Sequence, residues 1–471
     1  MLFDTKVQEL KYEVLKGVAK HTMHDDLINA YRDIPYAIIP GKTPHFRCCV
    51  YKERHILTER ISLALGGRKT SDLKVEVIEE ACDECPVGGF EVTAACRGCI
   101  AHRCEKACPK DAITFDVNHR AVIDKEKCIE CGRCQKVCPY GAIIKQERPC
   151  VRACNVDAIS MDEDKAAKID ESKCIECGAC VYQCPFGAIS DTSEISEVVT
   201  MLKEKPLDER RIFAIIAPSI ASQFSYASLN QVITGIKMLG VDDVIEAALG
   251  ADYAAMEEAR ELSEKGVLTS SCCPSFVAYV DKHFPSLKAY VSHNKSPMAI
   301  VADFIRDLHP EAGILFIGPC ISKKREAMQT EVDHVLTFEE LQALIDAFEI
   351  ELPKLKESPL DNASFYGRIF ARSGGLSDAI EQALKEQSID FDFEPVKCNG
   401  IKEAKGALLK LKAGRLKGNF IEGMACEGGC IGGPCCLSHG PKNAKEVDAY
   451  GKEAFEKSLS ESVKVFDYQK G

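Results

Sequence analysis

Hydrophobic and polar positions divide the chain into stretches of different character. Helix-like periodicity runs through Val7–Val18, and residues 1–80 read as a mostly helical segment. Residues 191–210 are polar and cysteine-free, which predicts a linker. From Ile212 to about Gly440 short apolar runs alternate with helical stretches. Three of those runs, Val267–Ser270, Ile314–Ile317 and Phe420–Gly423, predict strands. The pattern from 211 to 440 predicts an α/β domain, followed by a charged helical tail over 441–471. The stretch 81–190 is dominated by cysteine rather than by either periodicity.

At 471 residues and 46% apolar content the chain can bury two or three domains. Its net charge of −12 argues against a nucleic-acid partner. No stretch approaches the ~20 apolar residues of a membrane span. The N-terminus, MLFDTKVQELKYEVLK, alternates charged and apolar residues and lacks the apolar core of a signal peptide. A cytoplasmic location follows as the expectation. The 26 cysteines, 18 of them before residue 185, change the picture. In a long chain without a secretion signal, that density reads as metal binding rather than a disulfide scaffold.

Two runs repeat almost residue for residue: CIECGRCQKVCPYGAI from Cys128 and CIECGACVYQCPFGAI from Cys174. Each is C-x2-C-x2-C-x3-C-P. Such a loop places three thiolates on one [4Fe-4S] cube, and its fourth cysteine serves a neighbouring cube. Zinc sites also use C-x2-C, but not two four-cysteine runs each closed by proline. Cys96-x2-Cys99-x4-Cys104-x3-Cys108-Pro is a variant run. Paired with Cys128–Cys138 it makes a two-cluster ferredoxin: Cys96, Cys99, Cys104 and Cys138 hold one cube, and Cys128, Cys131, Cys134 and Cys108 the other. Cys150-x3-Cys154-NVDAI mimics the CPxxAI ending with Asn155 in place of proline. It predicts a second ferredoxin, split by insertion of the first. Cys174, Cys177, Cys180 and Cys154 then hold a third cube, and Cys82, Cys85, Cys150 and Cys184 a fourth. Sixteen cysteines fill four cubes, and the region reads as an electron relay without a substrate site of its own.

In the C-terminal part, cysteines fall just past the carboxyl ends of the expected strands, where open α/β sheets collect ligands. They are Cys272-Cys273, Cys320, and Cys426 with Cys430. Gly428, Gly429, Gly432 and Gly433 leave room for close backbone approach. The segments TSSCCPSF, GPCISKKREA and GMACEGGCIGG resemble the three signature segments of [FeFe]-hydrogenases. The resemblance covers about residues 212–440 and is strongest to the less-studied, non-prototypical branch of monomeric enzymes.

The resemblance implies an α+β protein with ferredoxin-like [4Fe-4S] modules ahead of a two-lobed α/β domain holding an H-cluster. That cofactor is a [4Fe-4S] cube joined to a two-iron unit carrying CO, cyanide and a bridging amine dithiolate. By position, Cys273, Cys320, Cys426 and Cys430 would ligate the cube, with Cys430 as the bridge. Cys272 would pass protons to the amine, Lys323 would donate to a cyanide, and Glu258, Glu261 and Ser292 would form the proton path. Glu258 and Glu261 lie i,i+3 on one helix face, although Glu261 could instead simply pair with Lys265. Pro218, Ser219 and Met424 match contacts to the two-iron unit. The implied substrates are H2 and protons. The implied partners are ferredoxin or flavodoxin and the hydrogenase maturation proteins, with no nucleic acid and no membrane.

Departures from the family pattern cluster around the two-iron unit: Phe276 for tryptophan, Gly318 for methionine, Met298 for glutamine, and Pro434 after the glycine pair. Cys48, Cys49, Cys398, Cys435 and Cys436 have no assigned role. Three other readings stand beside the enzyme: an H2 sensor of the same family, an iron–sulfur scaffold, and a plain polyferredoxin. The scaffold has no need of a proton path, and the polyferredoxin leaves residues 212–440 without a purpose.

Overall fold

The computed structural model describes residues 3–68, 71–86, 88–208 and 210–469. The cysteine runs share one local geometry. In the two longest repeats the residue between the second and third cysteines, Gly132 or Gly178, has φ of 69° or 73°, a conformation glycine adopts without strain. The short helices Arg133–Val137 and Ala179–Gln183 follow. Three residues beyond the last cysteine of each run the chain turns left-handed again, at Asp111, Gly141, Asp157 and Gly187 (φ 49°, 58°, 51° and 57°). The Cys154-Asn155-Val156-Asp157 turn therefore matches the others although asparagine replaces proline.

Strand pairing repeats as well. Gly89–Val92 pairs antiparallel with Ile143–Gln146, and Ile113–Phe115 with Ala121–Ile123. Val75–Val77 pairs antiparallel with Ile189–Asp191, and Ile159–Met161 with Ala167–Ile169. These are two ferredoxin-like units of the same design. The first, an outer unit, is inserted between Cys85 and Cys150 of the second, an inner unit. The outer unit packs its own small core of Phe90, Ile113, Ala121, Cys134 and Ile143.

The rest of the chain is a two-lobed α/β domain. One lobe holds a four-stranded parallel sheet, ordered Asp243–Glu246, Ile212–Ile216, Gly313–Gly318, His334–Thr337. The second holds a three-stranded parallel sheet, ordered Leu268–Thr269, Phe420–Gly423, Pro395–Cys398. The central strands are buried along their whole length, as parallel sheets covered on both faces require. The overall class is α+β.

Two segments differ from expectation. Residues 191–210 are not a linker: Ile195–Asp208 is an α-helix that buries Ile195, Val198, Val199, Met201 and Leu202 in the main core. Its apolar residues follow helical spacing, and the charges between them mask it in the composition. The charged tail is helical but not free. Helix Lys442–Glu453 buries Val447 and Tyr450, and the Tyr450 hydroxyl donates to Glu246 (2.5 Å). The N-terminal helix Lys6–Met23 likewise packs on helix Phe338–Ala347 of the α/β domain. No described helix is long and apolar enough to cross a membrane.

A buried ionic cluster ties these parts together. Lys324, fully buried, donates to Asp191 (2.9 Å), Glu340 (2.8 Å) and the Thr192 carbonyl (2.7 Å). Lys11, from the N-terminal helix, pairs with Asp191 and with Glu339 (2.7 Å). Burial raises the Asp191 pKa, but Lys11 and Lys324 outweigh it and hold the carboxyl far below its usual range. Removing one partner of a buried ion pair strands the other and costs ~3–5 kcal/mol. Lys324→Met is expected to lower the anaerobic melting temperature by at least about 5 °C. The Asp191 contribution is complete above about pH 4, the unfolded carboxyl value, and fades as the pH falls towards the depressed folded value. The deficit of the variant should therefore persist at pH 5–8; equal melting of wild type and variant there would contradict this account.

Candidate functional site

The site lies where the two sheets of the α/β domain meet. Cys272 and Cys273 follow strand Leu268–Thr269, Cys320 follows Gly313–Gly318, and Cys426 follows Phe420–Gly423. Cys430 opens a short 3-10 turn after Gly429. Cys273 is also the N-cap of helix Pro274–His283, so that helix is fixed to the site at its first residue. Phe276, fully buried on it, lies so close to Gly423 that a Cβ there would meet its ring at 2.4 Å.

These thiols lie within each other's electrostatic reach. Burial, then Cys320, Cys273, Cys177 and Cys430, push Cys426 well above the ordinary thiol range. Burial, then Cys320 and Cys273, push Cys430 up to about 12. Burial, then Cys320, raise Cys273. Cys430 still keeps solvent-exposed surface, unlike the partly covered Cys273, Cys320 and Cys426. The presence of Cys177 in this group is informative, because it belongs to the inner ferredoxin-like unit.

The other cysteines have one another as charged neighbours. Cys177 has Cys174, Cys154 and Cys273 as charged neighbours; Cys180 has Cys177, Cys174, Cys154 and Cys150. Cys150 has Cys184, Cys82 and Cys85, which brings Cys82 and Cys85 to Cys150 across the inserted unit. In the outer unit Cys104 faces Cys138 and Cys99, and Cys134 faces Cys128 and Cys131. Cys96 and Cys108 pack at the core of that unit. Among the described residues no three Cys, His, Asp or Glu converge closely enough for a single metal ion. Four-cysteine runs of this spacing, gathered about one another, fit an iron–sulfur cube. Backbone amides already aim at the sulfurs: Ala112 N–H donates to Cys108 Sγ (3.3 Å), Ala158 to Cys154 (3.2 Å), Ala188 to Cys184 (3.2 Å) and Ala167 to Cys82 (3.4 Å). Such bonds stabilise a ligated thiolate.

The inner unit is seated directly on the α/β domain. A Cβ on Gly178 would meet Pro434 Cγ at 2.5 Å and Ile321 Cδ1 at 2.7 Å. Lys282, near the end of the helix that starts at Cys273, donates to the carbonyls of Cys174 (2.6 Å) and Glu171 (2.8 Å).

Beside the thiols runs a chain of acids. Glu258, 1% exposed on helix Ala247–Lys265, accepts from the Ser271 amide and hydroxyl (both 3.3 Å). Burial raises its pKa to about 7, against the lowering effect of these donors. It is also the first charged neighbour of Cys272, after burial itself, in lifting that thiol. The Ser292 hydroxyl donates to Glu261 Oε2 (2.8 Å). Ser292 also lowers the Glu258 pKa, yet Glu258 Oε2 has no hydrogen-bond partner among the described residues. Ser292 thus sits between the two carboxylates, bonded to Glu261. Glu261 pairs with Lys265 (2.7 Å) and with the largely exposed His293 (3.3 Å). The Glu261–Lys265 pair and the Ser292 bond coexist, so neither reading of Glu261 excludes the other.

Lys323 is buried and donates to Ser296 Oγ (2.9 Å) and to Glu326. Burial alone would lower its pKa; Glu326, with Cys320 and Cys272 behind it, raises it instead. Ser219 is fully buried with its hydroxyl unpartnered among the described residues, and Met424 and Met298 are buried. Pro218, half-buried, opens the 3-10 turn Pro218–Ser222 at the end of strand Ile212–Ile216. Sequence reasoning missed Ser271, Asn294 and Glu326. Asn294 Nδ2 donates to both Ser292 Oγ (3.0 Å) and Glu261 Oε2 (3.1 Å); its place in VSHNKSP beside Ser292 was the available signal.

Comparison with known proteins places this architecture. Residues 210–434 match the family "Iron only hydrogenase large subunit, C-terminal domain". Residues 95–142 match a 4Fe-4S dicluster domain, and 167–190 a 4Fe-4S binding domain. Iron hydrogenase 1 of Clostridium pasteurianum is 29% identical over 72% of this chain and 69% of its own length. Cytosolic iron-sulfur assembly component 3 of Rattus norvegicus is 23% identical over 48% of this chain and 62% of its own. The fold of apo [FeFe]-hydrogenase HydA1 from Chlamydomonas reinhardtii superposes with a TM-score of 0.50 and 20% identity, covering 58% of this chain and 93% of that one. Strand-end thiols in a two-lobed α/β domain, with cysteine modules packed against them, identify the chain as an [FeFe]-hydrogenase-like protein with N-terminal 4Fe-4S ferredoxin-like domains.

Proposed function

We propose that the chain is a hydrogenase that interconverts two protons and two electrons with H2, and the observation that carries this is the run Cys272–Glu258–Ser292–Glu261. It leads from the strand-end thiols to the exposed His293, with a carboxyl of pKa about 7 at its buried midpoint. A group half-protonated near neutrality both accepts and releases a proton at little cost. Cys273, Cys320, Cys426 and Cys430 would hold the cube of an H-cluster. Cys430, the most open of the four, suits the bridging position. When bound, the H-cluster supplies the redox chemistry of H2. Lys323 offers a buried ammonium toward it, and the unpartnered Ser219 hydroxyl and buried Met424 line its surroundings. Pro218 positions that turn.

Sixteen further cysteines, in residues 81–190, would hold four [4Fe-4S] cubes, and residues 211–440 with their packed flanking helices would form the H-cluster domain. The seat of Gly178 on Pro434 and Ile321 supports electron entry from the cube of Cys154, Cys174, Cys177 and Cys180. Ferredoxin or flavodoxin is the proposed electron partner, maturation proteins would supply the two-iron unit, and the cytoplasm is the proposed location. Relatives that assemble iron–sulfur clusters keep a scaffold reading open to test, but a scaffold has no use for a buried titrating acid beside Cys272.

Two measurements test the reading. After anaerobic production with maturation enzymes, CO and cyanide bands are expected in the infrared, together with H2 turnover from a reduced dye. Ordinary cubes alone, with no H2 made or consumed, would falsify the proposal. Glu258→Gln is expected to leave those bands in place and cut H2 turnover by about 10²–10⁴-fold; retention of more than a tenth of the rate would remove Glu258 from the path. For the ligand sets, Cys82→Ser is expected to lower iron by about four atoms per chain, the content of one cube, with no change in the H-cluster bands. Unchanged iron would remove the cube assigned to Cys82, Cys85, Cys150 and Cys184.

A further inference from the structure

The two ferredoxin-like units share one design but carry opposite charge. Residues 95–142 of the outer unit hold nine Lys and Arg against six Asp and Glu, in a chain whose net charge is −12. Residues 150–185 of the inner unit hold four Lys and Arg against seven Asp and Glu. Part of the difference lies on one face, where the outer unit carries Arg103, Lys106, Arg133 and Lys136 with Glu105, and the inner unit only Arg152. In each unit two short helices that follow cysteine ligands pack together: Pro149–Ala153 with Ala179–Gln183 in the inner unit, Arg103–Lys106 with Arg133–Val137 in the outer one.

In the inner unit this face is already in use. Gly178 touches Pro434 and Ile321, the Tyr182 and His439 rings meet tilted with centroids 4.3 Å apart, and Ala179 and Tyr182 form one wall of a cleft whose other wall includes Pro434 and His439. In register with the repeats, the positions of Ala179 and Tyr182 are Arg133 and Lys136 in the outer unit. Arg103, Lys106, Arg133 and Lys136 are all exposed. The ion pairs of this unit are His102–Glu105, Lys127–Asp124 and Lys145–Glu147; among the described residues the four cations join none. The same unit exposes Ile100 (99%), Ile129 (56%) and Tyr140 (54%), each within two residues of a cysteine. Unpaired cations beside exposed apolar residues make a face for an acidic protein partner.

We propose that the helix-pair face carrying Arg103, Lys106, Arg133 and Lys136 is the docking surface for a small acidic one-electron carrier. It is the counterpart of the face through which the inner unit meets the α/β domain. The carrier's reduced centre gives up one electron, and one cube of the outer unit gains it; no bond or proton is exchanged. The inference rests on the electron-relay part of the proposed function, but its test does not need H2 turnover.

The full chain, loaded with its cubes, is mixed in stopped flow with a reduced acidic two-cluster ferredoxin, and cube reduction is followed by absorbance. Arg103→Glu/Lys106→Glu/Arg133→Glu/Lys136→Glu is expected to slow this step by at least about 10-fold at low salt. Reduction by a neutral dye should stay within about twofold, which certifies intact cubes, since only steering is removed. Added salt should slow the wild type and leave the variant nearly unchanged. Arg133→Ala/Lys136→Ala supplies a milder version should the fourfold reversal lose its iron. Lys165→Glu/Lys168→Glu on the inner unit should have no such effect. An unchanged ferredoxin rate, or an equal loss in the inner-unit control, overturns the proposal. So does a result in which the reversal only dissolves a dimer and leaves the carrier rate intact. Failure of the hydrogenase reading would show separately, as absent H2 turnover with a dye while these rates behave as expected.

Discussion

Crowding of buried sulfur is the constraint on which the molecule depends. At the meeting of the two sheets Cys273, Cys426 and Cys430 are crowded by other thiols, and burial of the sulfur and that crowding both oppose their ionisation. Cys426 lies well above the ordinary range, and Cys177 and Cys430 reach about 12. A thiolate is the iron ligand, so on the proposed ligand sets a cationic cluster would compensate the charge that these positions resist on their own. Those ligand sets would couple assembly of the cubes to completion of the fold. The high pKa is not itself the signature of a cluster. Cys398 also reaches about 12, but there the causes are burial followed by Glu403 and Glu422. What sets the proposed ligand groups apart is that other cysteines stand among their charged neighbours, as none does for Cys398.

The rest of the architecture keeps that crowding in register across units far apart in sequence. The helix starting at Cys273 reaches the carbonyl of Cys174 through Lys282. Gly178 allows the inner unit to touch Pro434 and Ile321 without an intervening Cβ. On the other side of Cys320 the chain turns two adjacent lysines in opposite directions. Lys323 points toward Cys272 and Cys320, and Lys324 points into the buried cluster of Asp191, Glu340 and Lys11. One turn of helix thus links the charge beside the site to the ionic cluster that anchors the N-terminal helix and strand Ile189–Asp191.

Legibility in the sequence followed how local each interaction is. Cysteine spacing is a local code, so the repeats and the asparagine-bearing half-repeat around Cys154 were readable, and so was the nesting that their parity demanded. Strand ends bearing Cys320 and Cys426 were readable because buried parallel strands are continuous apolar runs. The helix Ile195–Asp208 was not, because its apolar stripe alternates with charge and only tertiary packing decides it. Lys324 was illegible for the same reason. Within KKRE nothing distinguishes a buried ammonium from a solvated one, and its partners come from residues 133 and 16 positions away. Asn294 and Ser271 bridge the acids through bonds that span a loop and a helix, a relation no linear spacing encodes.

The unsatisfied polar groups bear on the readings that share the same fold. A cluster scaffold requires thiols and a shell that excludes water, and every other buried polar group would then be satisfied or replaced by an apolar one. Here Glu258 is buried with one carboxylate oxygen unpartnered among the described residues, and so is the Ser219 hydroxyl. Each such group costs about 1–3 kcal/mol relative to a satisfied one. A leucine or methionine at position 258 would remove that cost and keep the helix. An acid whose pKa lies near neutrality, between Cys272 and a serine that is bonded to a second acid, is what the proposed proton path requires. That argument favours catalysis over storage, and it rests on residues that touch no cube.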